Sequence, residues 1–215
     1  MNVLAIDGAL GGFSAAVSRD GSVRAARRED GTVALEAGLS LVRDVMARSG
    51  VSAADLDRVA VGTGPGGFTG LRVAIAYAKS LAQAWERPLV AVSSFDLLEY
   101  GTDFDPVLAV VVGRPGVVSL RYRTGGAVSR ASGRVEEALS AVVPREATSL
   151  TAIGASKDVL AALAERGIVV QSLAPAVVPP AAAAALIGAT RAPAAAVHAV
   201  RADYGELPAA TLPKR

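Results

Sequence analysis

Two short segments of the sequence hold residues that could bind a phosphate group or a metal ion. The first is Asp7-Gly8, which follows the apolar residues 3–6 and so places a carboxylate at the end of a predicted buried strand. Such a carboxylate can hold the metal ion of a nucleotide, since phosphoryl transfer depends on positioning and charge neutralisation. The second segment is a glycine-rich run formed by Gly64, Pro65, Gly66, Gly67, Phe68, Thr69, Gly70, Leu71 and Arg72.

The glycine-rich run is a weak phosphate site when it is taken by itself. Glycines allow other groups to approach closely, and a glycine-rich turn that opens a helix can cradle an anion. The run nevertheless lacks the Lys and Ser/Thr of a P-loop and the fingerprint of a dinucleotide site. We therefore expect Asp7 and Gly8 to form a vestigial phosphate loop, in which Asp7 accepts hydrogen bonds from backbone N–H groups at a turn.

The composition excludes several classes of site. The 215 residues include no Cys and a single histidine, so disulfides, thiol nucleophiles and multi-histidine metal sites are excluded. The 22 basic and 20 acidic side chains give a net charge of +2, which does not favour a protein that coats nucleic acid. Residues 3–6 are too short for a signal-peptide core, and prolines interrupt residues 174–189. We expect a cytoplasmic protein with no membrane span, no metal and no cofactor.

Apolar periodicity predicts alternating strands and helices. Strands are expected at residues 3–6, 13–19, 22–27, 58–62, 89–92, 149–153 and 168–172. Helices are expected at residues 33–48, 71–85, 135–141, 156–166 and 181–190. Ser93 or Ser94 is expected to cap a further short helix that ends near Tyr100.

An internal repeat relates the two halves of the chain. A shift of 104 residues places Val3, Gly12, Arg19 and Gly21 on Val107, Gly116, Arg123 and Gly125. Both copies predict the same β-meander, so we expect two α/β halves, residues 1–103 and residues 104–215. The second copy has Val111 or Val112 where the first has Asp7, and a valine cannot hold magnesium. The second phosphate loop is therefore expected to have lost its chemistry.

The sequence resembles the TsaB family, also called YeaZ, of the actin/Hsp70-like superfamily. The resemblance rests on the glycine-rich run, on residues 4–7, on Pro88 and on residues 92–94, and it is close over residues 1–100. Gly67 stands where the family usually has Ser. The resemblance implies an α/β protein with a duplicated actin/Hsp70-like (ribonuclease H-like) fold, in which each half has a mixed sheet flanked by helices.

The resemblance also implies a function. Members of the family are catalytically silent relatives of the TsaD transferase, and they act with TsaD and the ATPase TsaE to make N6-threonylcarbamoyladenosine at position 37 of tRNA. This implies a pseudo-enzyme subunit that binds and activates a TsaD-like transferase, with a TsaE-like ATPase in a ternary complex. Arginines that alternate along strands, such as Arg121 and Arg123, are expected on a solvated face, and any tRNA contact is expected to be indirect.

The predicted helices at residues 33–48 and 71–85 carry more apolar surface than one sheet contact requires. In the first of them we expect a main stripe, Leu35, Leu39, Val42 and Met46, to face the sheet and a second stripe to face outward. The predicted partner interface is Ala34, Ala37, Leu41, Val45, Val73, Ala76, Tyr77 and Ala84. The small alanines allow close helix packing, either inside the monomer or against a partner. Without TsaD, a second copy of the chain is expected to cover this surface as a homodimer.

A self-standing actin-fold ATPase or small-molecule kinase is the alternative function. The missing carboxylate in the second half argues against it, because such enzymes need phosphate loops from both halves. A metal-dependent protease is excluded, since one histidine cannot supply a paired-histidine metal site.

Overall fold

The computed structural model describes residues 1–31 and 38–205. The first half contributes strands β1 (Asn2–Asp7), β2 (Phe13–Arg19), β3 (Ser22–Glu29), β4 (Arg58–Gly62) and β5 (Leu89–Val92). Its helices are α1 (Gly38–Ser49), α2 (Phe68–Ala84) and α3 (Ser94–Glu99). Residues 33–37 of the predicted first helix, with Ala34 and Ala37 of the predicted interface, lie outside the described residues.

The second half repeats this order of elements. Its strands are β6 (Val107–Val112), β7 (Val117–Thr124), β8 (Ala127–Arg134), β9 (Ser149–Ile153) and β10 (Val169–Leu173). Its helices are α4 (Val135–Val142), α5 (Lys157–Glu165) and α6 (Pro180–Thr190). No described helix is long and apolar enough to cross a membrane.

The two sheets share one topology. The first has the order β3-β2-β1-β4-β5 and the second the order β8-β7-β6-β9-β10. In each, the central strand pairs antiparallel with the strand that follows it and parallel with the first strand after the meander. The predicted duplicated α/β fold is therefore confirmed, and the meander that the repeat predicts occurs in both halves.

Helices cover both faces of the first sheet. α1 and α2 pack on one face, and α6 packs on the other against β1, β2 and β4. α6 consists mainly of alanine, so its backbone comes close enough for the Ser18 Oγ to donate to the carbonyl of Ala185 at 3.2 Å. A Cβ at Gly188 would lie 2.8 Å from the Cβ of Ala60, so glycine is required at that approach. A helix near the end of the described chain thus covers one face of the first sheet. The predicted boundary between the two halves, at residues 103 and 104, stays a prediction.

The short helix α3 joins the two cores. Ser93 is the cap, since its Oγ accepts a hydrogen bond from the backbone N–H of Asp96 at 3.2 Å. Leu97 packs in the core between the first sheet and α6, whereas Phe95 and Leu98 pack against the second sheet. The other face of the second sheet is covered by α4 and α5. Side chains on different faces of α3 therefore pack into both halves and connect them.

Candidate partner-binding groove and inter-half cleft

Asp7 is buried at the end of β1. Its Oδ2 accepts a hydrogen bond from the backbone N–H of Leu10 at 3.2 Å, whereas its Oδ1 is buried without a hydrogen-bond partner among the described residues. Burial raises the pKa of Asp7 to about 6, and the backbone N–H groups of Leu10 and Ala9 and the charge of Arg28 oppose that rise only in part. The carboxyl group therefore contacts the turn backbone, as expected, but at the cost of one unsatisfied oxygen.

Backbone atoms close off the Asp7 carboxylate. A Cβ at Gly62 of β4 would overlap its Oδ1, and a Cβ at Gly8 would overlap the carbonyl group of Gly70. The end of β4 and the first turn of α2 thus lie directly against the β1 turn. The described residues include no cluster of three or more acidic, histidine or cysteine side chains that could hold a metal ion. The role of Asp7 and Gly8 as a vestigial phosphate loop stays a prediction.

The glycines of the glycine-rich run allow neighbouring backbone segments to pack closely against it. The N–H of Gly67 donates to the carbonyl of Ala9 at 2.9 Å, and the carbonyl of Gly64 accepts from the N–H of Ser94 at 2.7 Å. A Cβ at Gly66 would overlap the carbonyl group of Ala9. α2 begins at Phe68, three residues before the predicted start at residue 71, and the N–H of Leu71 donates to the carbonyl of Gly67 at 2.9 Å. The run therefore links the β1 turn, α2 and α3.

The exposed members of the same run are not explained by packing. Phe68 is 58% exposed, and Thr69 and Arg72 also face solvent. Phe68 contacts Tyr204, with ring centroids 5.2 Å apart, and the Arg72 guanidinium lies 5.1 Å from the centre of the Phe68 ring.

A cleft of about 370 Å³ separates the two halves. Its described lining is mostly apolar and includes Leu10, Leu97, Leu98, Val110, Val111, Val112 and Val177, with Arg28 as its one charged residue. Val111 lies on the same face of β6 as Val107 and Ala109. Asp7 lies on the equivalent face of β1, since side chains alternate along a strand. Val111 is therefore the counterpart of Asp7, and the second half offers a buried methyl surface there.

The structure corrects the predicted orientation of α1. Leu41 and Val45, expected on the outer stripe, are buried with Val42 against the first sheet. Leu39, expected to face the sheet, is 47% exposed. Both stripes have the same helical spacing, so periodicity could not rank them, and the way α1 crosses β2 and β3 decides which one is inside.

The outer face of α2 agrees with the predicted orientation. Ala76 and Ala84 are exposed, and Val73 and Tyr77 are partly exposed. Between α1 and α2 runs a groove of about 650 Å³, which we call the α1–α2 groove. The apolar side chains of its described lining are Leu39, Val42, Met46, Ala47, Val51, Ala53, Leu81 and Trp85. Leu39, Met46 and Trp85 therefore line the exposed apolar surface of this groove, whereas Leu41 and Val45 are buried beneath it.

Comparison with known proteins identifies the family of the chain. The profile of the family described as "TsaD: tRNA N6-adenosine threonylcarbamoyltransferase" matches residues 35–175, more than half of the chain. The chain is 35% identical over 122 residues to the tRNA threonylcarbamoyladenosine biosynthesis protein TsaB of Escherichia coli (strain K12). The chain is therefore a TsaB/YeaZ member of the TsaD family. The match to TsaB spans 55% of this chain and 53% of that protein, so the chain spans about half the length of this curated relative.

Two further comparisons extend this result for the TsaB/YeaZ protein, one in sequence and one in fold. It is 38% identical over 114 residues to the tRNA N6-adenosine threonylcarbamoyltransferase of Gluconobacter oxydans (strain 621H), a match over 46% of this chain and 31% of that protein. The crystal structure of an uncharacterized Pseudomonas aeruginosa protein with similarity to peptidase YeaZ has a TM-score of 0.76 at 24% identity. That match covers 95% of this chain and 99% of the other, and it shows the same duplicated actin/Hsp70-like fold.

One group of charged residues in this TsaB/YeaZ protein was not predicted from the sequence. Arg121 of β7, expected on a solvated face, is only 8% exposed. Its guanidinium donates to Asp96 Oδ1 at 2.5 Å and to Glu99 Oε1 at 2.8 Å, both on α3. Asp96 Oδ2 accepts from Arg191 at 2.8 Å. No local pattern signals this cluster, because its partners lie 22 to 95 residues apart in the chain.

The cluster keeps Asp96 ionised. Burial raises the pKa of Asp96, but hydrogen bonds and charges from Arg121 and Arg191 outweigh it, so the net pKa is lowered. Arg123 adds a weaker ion pair with Glu99 at 3.4 Å. We call these five residues the inter-half ion cluster, because they hold α3 to β7 and to the segment that follows α6.

Proposed function

We propose that this chain is a non-catalytic subunit that binds and activates a TsaD-like transferase in the N6-threonylcarbamoylation of adenosine 37 of tRNA. Family membership supports the pathway, since the matched relatives are a TsaB biosynthesis protein and threonylcarbamoyltransferases. The observation that carries the proposal is the α1–α2 groove, an exposed apolar surface on one side of the first half.

The groove suits a helical partner. Leu39 and Met46 lie on one wall, Leu81 and Trp85 lie on the other, and the small, exposed side chain of Ala47 lets a second helix approach closely. Exposed apolar patches of this kind mark protein–protein interaction sites. A TsaD-like transferase shares the fold, so two helices from each partner would meet across a pseudo-two-fold axis.

The apolar inter-half cleft supports a non-catalytic role. An actin-fold ATPase must place charge-stabilising groups from both halves around a nucleotide. Here Val111 takes the place of a second carboxylate, and the Asp7 carboxylate is covered by backbone. The chemistry would therefore reside in the transferase. A TsaE-like ATPase would join the pair in a ternary complex, and a homodimer would form through the same groove when the transferase is absent.

Capture of a purified TsaD-like transferase by the tagged chain tests this proposal. Leu39→Glu should leave folding intact, because Leu39 is 47% exposed, and it should weaken capture at least tenfold, because the carboxylate must be desolvated in the complex. Val128→Glu on β8 is the matched control, since Val128 is 53% exposed and lies in the other half. Normal capture by a folded Leu39→Glu variant would overturn the groove as the partner site.

A further inference from the structure

We propose that this chain contacts RNA directly through a surface on α2 and the segment after α6. We call it the aromatic–basic patch, and it consists of Phe68, Arg72, Lys79, Arg201 and Tyr204. The inference rests on the proposed function only for the identity of the RNA, a tRNA. It replaces the expectation that any tRNA contact of this subunit is indirect.

Two exposed aromatic rings form the centre of the patch. Phe68 and Tyr204 are 58% and 39% exposed, and their rings lie 5.2 Å apart with an interplanar angle of 33°. The segment that carries Tyr204 is anchored, since the N–H of Asp203 donates to the carbonyl of Thr63 at 2.7 Å. The N–H of Gly205 in turn donates to Asp203 Oδ1 at 2.9 Å. Both rings are therefore held on fixed backbone, and neither is needed for the core.

Three cations surround a depression beside these rings. The depression has a volume of about 350 Å³ and is lined by Arg72, Lys79, Arg201 and Tyr204 together with small apolar side chains. None of the three cations forms an ion pair with another described residue, in contrast to the paired arginines of β3 and β7. Asp203 is the neighbouring carboxylate, and its Oδ1 already accepts a backbone hydrogen bond. The patch therefore has an excess of positive charge.

This combination fits a nucleotide unit of a single-stranded or looped RNA. Proteins bind such strands with aromatic side chains that stack on bases and with cations that pair with the phosphates. The Tyr204 ring offers a stacking surface, and the three cations line the same depression as Tyr204. An acidic protein segment would use the cations but would leave the two rings without a role. The geometry therefore favours RNA over a protein partner.

Fluorescence anisotropy with an unmodified tRNA transcript and the full chain tests this inference. Tyr204→Ala and Arg72→Glu should each weaken binding about tenfold or more, since one base stack or one phosphate contact is lost. Arg72→Gln should also lower the slope of log K against log salt by about 0.7 to 0.9. Phe104→Ala, at 39% exposure, and Lys157→Glu on α5 are matched controls and should bind as the wild type does.

The outcomes separate this inference from the proposed function. Loss of tRNA binding with retained capture of the transferase supports the patch as an RNA site. Loss of transferase capture with unchanged tRNA binding makes it a protein site and overturns the inference, as does a wild-type chain that binds no tRNA. Failure of the wild type to capture the transferase would overturn the proposed function and leave the patch to be judged by tRNA binding alone.

Discussion

At the scale of single residues, Asp7 is the side chain whose burial has the largest consequence. Its pKa of about 6 in the folded chain exceeds the ordinary value of 3.8. Between these two pH values the folded chain binds more protons than the unfolded chain, so stability falls as the pH rises through this window. This pKa shift corresponds to roughly 3 kcal/mol. Above pH 6 the buried charge of Asp7 lowers the free energy of unfolding by about that amount.

Asp7→Asn should therefore stabilise the protein at pH 8 by up to about 2 kcal/mol, because it removes a buried charge but keeps an acceptor for Leu10. At pH 4, where Asp7 is mostly protonated, the variant and the wild type should melt at similar temperatures. Thermal unfolding at the two pH values measures this difference. Asp103→Asn, at an exposed position, is the control and should shift the melting temperature equally at both. Destabilisation of Asp7→Asn at pH 8 would mean that the Asp7 charge has a favourable partner.

At the scale of elements, the inter-half ion cluster attaches α3 to β7 and to the segment after α6. Arg121→Met removes a nearly buried cation and leaves Asp96 and Glu99 with fewer partners. We expect a loss of about 2 kcal/mol at pH 7, less than for a fully buried pair, because Asp96 is partly exposed and keeps Arg191. For a chain of this length this corresponds to a fall of about 4 to 8 °C in melting temperature.

The effect of Arg121→Met should depend on pH. Because the folded pKa of Asp96 is lowered, its pairing stabilises the fold above the ordinary value of 3.8 and is lost as the pH falls through the folded pKa. The gap between wild type and variant should therefore narrow below about pH 4. Arg130→Met is a matched control, because Arg130 also lies over the Phe95 ring, at 5.7 Å, but forms no ion pair among the described residues. Equal losses of stability in the two variants would show that the contact with the Phe95 ring, and not ion pairing, provides the stabilisation.

At the scale of the whole molecule, the lining of the cleft between the halves bears on whether the chain is a non-catalytic subunit or an ATPase. We expect the isolated chain to hydrolyse no ATP above background, because the described lining of the cleft has one charged residue and a valine where a second carboxylate is needed. A coupled assay of phosphate release measures this. Turnover near the roughly 1 to 100 per second of working kinases, abolished by Asp7→Asn, would instead support the alternative function of an actin-fold ATPase or kinase.

The sequence by itself determined the local elements and their repetition. Alternating apolar residues and Gly turns predicted both meanders, the offset of 104 residues predicted their common topology, and Ser93 was one of two predicted caps. These features depend on neighbouring residues and on the period of side chains along a strand, both of which are written in the chain. The valine opposite Asp7 was also visible, although only the faces of β1 and β6 identified it as Val111.

Only the tertiary structure decided which surfaces and charges meet. It buried Leu41 and Val45 and exposed Leu39, because two stripes with the same period on α1 can be told apart only by how the helix crosses the sheet. It paired Arg121 with Asp96 and placed α6 on the first sheet, because these contacts join residues far apart in sequence. Long-range packing determines which residues become partners, and the local period of apolar residues carries no information about it.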